Sequence, residues 1–355
     1  MNNFREKAPG GLVEYVKGVL HTLTLTEELL NGYGQRSVTS RLGVRIKYLT
    51  GLKDLKGFMS NTSKTIVPLW SLSFFLLCLA CAPIKSARVA AVALTAEDVA
   101  KAAAKQSDPN VVRSGSPAYL MLIDGLLEAY PDSKDLLTAG CQAYLSYASS
   151  FLEDSDLEKV KPLYTKAKAY GFRALADKVD FQKAVAGNLE EFIVLLQQYK
   201  KNDVPALFCT ASSWVNWINL NSDSLEALVE IPMLEATMRR ILELDDEFHY
   251  GGPHLLLGAY LAAKPSIIGG DIHEAKRHFD RALALGEGKV LMAKVLFAKY
   301  YARRVGDRTL FEETLQEVLA TPTDTVPELT LSNVLAQEKA RKMLEQADDY
   351  FGGLP

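Results

Sequence analysis

From about Leu94 to Tyr350 apolar side chains recur every three or four residues, interrupted by Pro, Gly and Asp, and no stretch keeps the two-residue alternation of a half-buried strand. That period suits one face of a helix, so the expected fold class is all-α over residues 94–351. Helices are predicted near 94–106, 117–130, 134–153, 156–176, 188–200, 204–220, 224–244, 252–263, 271–285, 289–304, 308–320 and 327–350. Ser116-Pro117, Ser222-Asp223-Ser224 and Asp307 read as helix starts, because a short polar side chain can accept an otherwise orphaned N–H and Pro needs none. Connectors this short force consecutive helices into antiparallel hairpins stacked side by side.

Charge and cysteine usage then remove several classes of function. The 355 residues carry 40 Lys and Arg against 43 Asp and Glu, a formal charge of −3, so the basic footprint of a nucleic-acid binder is missing. Four Cys, two of them inside the apolar stretch at 78 and 81, give neither a disulfide framework nor the usual zinc or thioredoxin signal. Cys141 and Cys209 each stand in an apolar helical stretch and read as separate small buried side chains. No G-x-S-x-G, P-loop or paired-carboxylate pattern appears, so no catalytic residue, metal site or cofactor is expected.

Upstream of the helices, residues 65–84 carry no charge. Their length is near what a bilayer-spanning helix needs, so a membrane anchor or a buried core helix are both alternatives. The strongly apolar part is shorter, however, running from Ile66 to Ala80 with Pro68 inside it and small residues at its end. That is the shape of a signal-peptide core before a cleavage site. Cys78-Leu79-Ala80-Cys81 resembles the lipobox of bacterial lipoproteins, with an unusual Cys78 in first place, so Cys81 is the expected lipidation site. Met59 is suitably placed to start such a signal over 59–80, which leaves 1–58 as a start-site artefact or weakly ordered extension and 81–93 as a tether. Residues 81–355 alone hold 30 basic and 38 acidic side chains, net −8, so attachment to a membrane would rest on the lipid rather than on charge.

Within the helical region, residues 257–282 partly match the tetratricopeptide repeat, in which small residues let two helices approach and an aromatic fills the gap between them. Leu257, Gly258 and Tyr260 occupy the first helix, Gly269-Gly270-Asp271 the turn, and Ala275, Phe279 and Ala282 the second helix. The loop is longer than the standard turn and no Pro closes the unit, so the repeats are degenerate and the expected body is α-solenoid-type.

Three clusters stand out as candidates for chemistry or recognition. His273 and His278 are five apart, which turns their imidazoles roughly 140° from one another on a helix and excludes a shared metal; both read as solvated. Phe248-His249-Tyr250-Gly251-Gly252-Pro253-His254 reads as a hinge between hairpins, either a stacked turn or a ligand or partner contact through His249, Tyr250 and His254. Trp214 and Trp217 share one helix face beside Asn216 and Asn219; they are either core or the lining of a groove that holds an organic solute.

Taken in order, further segments narrow the likeness. Ser116-Pro-Ala-Tyr-Leu-Met-Leu-Ile-Asp-Gly-Leu-Leu127, Leu136-Leu-Thr-Ala-Gly-Cys-Gln-Ala-Tyr144, Trp214-Val-Asn-Trp217, Gly252-Pro-His-Leu-Leu-Leu-Gly258 and Asp307-Arg308-x₂-Phe311 resemble the T component of tripartite ATP-independent periplasmic (TRAP) transporters over about residues 113–347. The resemblance implies a TPR-like periplasmic lipoprotein of a diderm bacterium that docks the TRAP solute-binding protein, passes a small organic or hydrophobic solute through its own cavity, and self-assembles, with a trimer as the expected form. It implies no enzyme, no cofactor and no nucleic-acid partner. The rival expectation is a TPR scaffold lipoprotein in outer-membrane assembly or envelope maintenance; a hydrolase acting on envelope polymers would need a clustered acid and base.

Overall fold

The computed structural model describes residues 93–152, 157–176 and 180–352. The extension at 1–58, the signal at 59–80 and the lipidation site Cys81 lie outside the described residues. Fifteen α-helices and no strand occur among the described residues, in agreement with the all-α expectation. They are α1 (93–104), α2 (Pro109–Ala129), α3 (Lys134–Phe151), α4 (Leu157–Ala174), α5 (Phe181–Val185), α6 (Leu189–Leu196), α7 (Val204–Leu220) and α8 (Leu225–Val229). There follow α9 (Ile231–Asp245), α10 (Phe248–Ala263), α11 (Ile272–Gly286), α12 (Leu291–Leu296), α13 (Arg308–Ala320), α14 (Thr330–Glu345) and α15 (Ala347–Phe351). No described helix is long and apolar enough to cross a membrane.

Where the boundaries differ from expectation, a local cause is visible. Helix α2 starts at Pro109, about two turns before Ser116-Pro117, because Asp108 accepts the N–H of Asn110 at 2.9 Å and Pro109 supplies a first residue that needs no partner. Ser116 instead donates its hydroxyl to the Val112 carbonyl at 2.7 Å, and Pro117 sits inside the helix on its exposed side. The expected helix 224–244 breaks at Glu230, with Pro232 in the first turn of α9. Asp307 caps α13 by accepting the N–H of Leu310 at 2.9 Å. After α12 the chain widens into a π-helical turn over Phe297–Ala302.

Consecutive helices pack as hairpins: α2 on α3, α3 on α4, α10 on α11, and α13 on α14. In the largest core Phe181 is wholly buried and meets Phe172, Phe192, Tyr199 and Trp214 edge-on, with ring centroids between 5.2 and 6.4 Å. Each such ring contributes on the order of 1.5–3 kcal/mol through the area it removes from water. A second core gathers Leu291, Val295, Phe311, Leu315, Ala336 and Ala340 from the last helices. Helix α14 also touches α2, and Lys339 donates to the Ser149 carbonyl at 3.2 Å, so the last long helix meets the first hairpins. In a strictly open stack each hairpin would meet only its neighbours.

One covalent link corrects the sequence reading. Cys141 on α3 and Cys209 on α7 are not separate thiols but form a disulfide, with Cα atoms 6.2 Å apart and 68 residues between them in sequence. Both lie in the core, at most 1% exposed, because α3, α4 and α7 pack face to face around them. Closing a loop of that length removes roughly 4 kcal/mol of freedom from the unfolded chain in the entropic account.

Candidate functional site

The α10–α11 hairpin places the repeat-like residues at its contact line. A side chain at Gly258 would stand 3.2 Å from the Ala275 carbonyl oxygen and 3.3 Å from the Phe279 ring, so the absence of a Cβ is what lets the helices touch. Ala275, Phe279 and Ala282 are buried beneath it. In the turn, Gly269 has φ +94°, Gly270 lies against the Lys264 carbonyl where no Cβ fits, and Asp271 accepts the N–H groups of His273 and Glu274 at 2.9 Å each.

The hinge before this hairpin is a strained turn. His249, Tyr250 and Gly251 hold φ values of 48°, 59° and 83°, three left-handed residues in a row of which only one is glycine. Each non-glycine residue costs about 1–2 kcal/mol in that conformation. The surroundings offset this: His249 packs on Phe248 and Phe208, with centroids 4.2 and 6.2 Å away, and Gly251 lies against Ala282 and Leu285. Although His249 as a residue is exposed, desolvation of its ring by these neighbours pushes the imidazole below its usual pKa. Tyr250, two-fifths exposed, is presented at the surface.

His254 points instead into the hairpin, where its Nδ1 lies 2.8 Å from Nδ1 of His278. His278 is therefore no solvated surface histidine, in contrast to His273, which is exposed. Each imidazole also faces a carboxylate with its other nitrogen. His254 Nε2 lies 3.3 Å from Asp246 and His278 Nε2 lies 3.8 Å from Glu274 Oε1, so one Nδ1 donates and the other accepts across the 2.8 Å contact, with the tautomers setting the direction. Burial, then the nearby His254, hold the His278 pKa below the usual histidine value, against the pull of Glu274.

The tryptophan pair separates into two roles. Trp214 is 0% exposed, and its indole N–H donates to Glu230 at 2.6 Å, so the expectation that it lines a groove meets a core side chain. Trp217 is half-buried and lays its face 3.5 Å from the ammonium of Lys168, which is itself 2.5 Å from Glu230. Asn216 gives its amide N–H to the Ser212 carbonyl at 2.8 Å. Lys168 is buried; desolvation lowers its pKa, and the Glu230 carboxylate opposes that. The ion pair and its aromatic walls tie α4 to α7 and to the α8–α9 junction.

Sequence reasoning did not find a cavity of about 300 Å³ between α6 and α9. Its floor is Leu189, Ile193 and Leu196 on one side and Pro232 and Ala236 on the other, with Glu235, Arg239, Arg240 and Glu243 along its edge. Alternating apolar and charged residues on α9 were readable, but nothing in the chain between them said that α6 would lie alongside. Among the described residues no group of three or more His, Cys, Asp or Glu is arranged to hold a metal ion. The surface carries an exposed aromatic at a left-handed turn, and an apolar groove with a charged rim.

The described residues form an all-helical protein built of packed hairpins. Residues 105–351 match the TRAP transporter T-component family, so the chain belongs to that family. An uncharacterized protein of Treponema pallidum (strain Nichols) is 22% identical over 280 residues, covering 73% of this chain and 85% of its own length. The family is an accessory component of transport machinery, which is not an enzyme class.

Proposed function

We propose that the protein is a lipid-anchored, extracytoplasmic accessory component of a TRAP transport system that docks the solute-binding protein and helps pass on a small organic or hydrophobic solute. The family match over 105–351 carries this reading. The Cys141–Cys209 disulfide supports the location, since such bonds persist in oxidising compartments and are rare in a reducing cytosol. Cys81 is the proposed attachment point, and the hinge with Tyr250 at its surface, flanked by His249, is the proposed docking contact. Strain held at an exposed aromatic is expected where recognition demands a fixed shape. Self-assembly, with a trimer as the expected form, belongs to the same proposal.

In-cell photocrosslinking from position 250, followed by purification and identification of the adduct, tests the reading. Recovery of a TRAP solute-binding protein is the expected result. Adducts confined to β-barrel assembly or other envelope proteins would replace it with the scaffold reading.

A further inference from the structure

The α6–α9 groove is a site with an apolar floor and a rim whose charges are unequally committed. Glu235 is held by the Tyr260 hydroxyl at 2.7 Å and the Lys264 ammonium at 2.5 Å, and these partners keep its carboxyl below the usual range despite burial. Arg240 donates to the carbonyls of Leu196 and Tyr199 at 3.2 and 3.0 Å and pairs with Glu243 at 2.9 Å, so it closes the end of α6. Arg239 differs: it is more than half exposed, and it pairs only loosely with Glu274 Oε1, 3.9 Å away. With both groove carboxylates neutralised by closer cations, Arg239 sets the sign of the rim.

That same Glu274 oxygen also faces Nε2 of His278 at 3.8 Å. One carboxylate oxygen thus stands between the groove's arginine and the histidine pair. Protonation of the His278 ring supplies Glu274 with a second cation and adds positive charge beside the rim. The other charged groups around His278 are His254 on α10, Asp246 just after α9, and Arg277 and Arg281 on α11.

We infer that the α6–α9 groove binds a small amphipathic anion, its hydrocarbon part on Leu189, Ile193, Leu196, Pro232 and Ala236 and its single negative headgroup on Arg239, and that protonation of His278 strengthens the hold. The apolar floor excludes a densely charged anion such as inorganic phosphate, and the arginine favours an ionised headgroup over a neutral alcohol. The inference deepens the solute-handling half of the function proposed above and rests on it only for the origin of the ligand. Binding at the groove is measurable without any transport partner, so failure here and failure of docking are distinguishable.

Isothermal titration of the full chain with sodium octanoate and, separately, 1-octanol at pH 7.5 and 6.0 tests it, octanoate being ionised at both. Saturable octanoate binding is expected, weaker for octanol, about tenfold weaker for Arg239→Gln, and lost for Ala236→Phe, which fills the groove. Octanoate should bind roughly two- to fivefold more tightly at pH 6.0, and His278→Gln should flatten that difference. No octanoate binding, equal binding of octanoate and octanol, or affinity unchanged by both Arg239→Gln and Ala236→Phe overturns the site. Equal octanoate affinity at the two pH values overturns the histidine coupling.

Discussion

Cys141 and Cys209 are joined across 68 residues of chain, and the bond sits where α3 and α7 press together with both sulfurs out of water. It is the one covalent cross-link among the described residues, and it lies inside the larger core rather than at its edge. Reduction, or Cys141→Ser, is expected to lower unfolding free energy by about 2–4 kcal/mol, measured by urea denaturation with and without reductant. The double variant should cost little more than either single one, because all three lose the same bond. A folded chain insensitive to reductant would contradict the pairing.

The glycines give a paired test of close packing. Gly270→Ala would drive a Cβ into the Lys264 carbonyl, and it is expected to destabilise by at least about 1–3 kcal/mol. Gly125→Ala on α2 meets open space, so it should raise stability by about 0.5–1 kcal/mol through helix propensity alone. Thermal melts of the two variants should therefore move in opposite directions.

Strain at the hinge predicts a trade between stability and recognition. Tyr250→Gly relieves one left-handed non-glycine residue, so the melting temperature should rise by an amount matching about 1 kcal/mol. The same change removes the presented ring and should weaken docking of the solute-binding protein. Stability and docking falling together would show that the ring supports the fold instead.

The histidine pair fixes the sign of an acid effect. His278 has its folded-state pKa held below the ordinary value of 6.5, so the folded protein resists the proton. Its stabilising contribution is present above 6.5 and is lost as pH falls from there through the folded-state value. Urea denaturation at pH 7.5 and 5.5 should show a drop that His278→Gln reduces.

Helical structure was legible because the three-to-four spacing of apolar residues records which face each helix buries. The α10–α11 hairpin was legible for the same reason: Gly258, Ala275, Phe279 and Ala282 state the packing locally. What stayed hidden depends on helices far apart in sequence. A cysteine bonded across a core has the same apolar neighbours as a free one, and nothing at His278 announces that His254 will lie 2.8 Å away. Trp214 and Trp217 share a face, yet only the position of Glu230 and Lys168 shows one spent in the core and the other capping a buried cation. The start of α2 was readable in Asp108-Pro109, a stronger start signal than Ser116-Pro117.

On the function proposed above, this helical body works by binding a transport partner. Titration of the purified chain, with its disulfide intact, against the TRAP solute-binding protein from the same genome, followed by light scattering, tests it most directly. A saturable complex of defined stoichiometry that Tyr250→Gly weakens is the expected result. Two proteins that sediment and scatter independently at every concentration would contradict it.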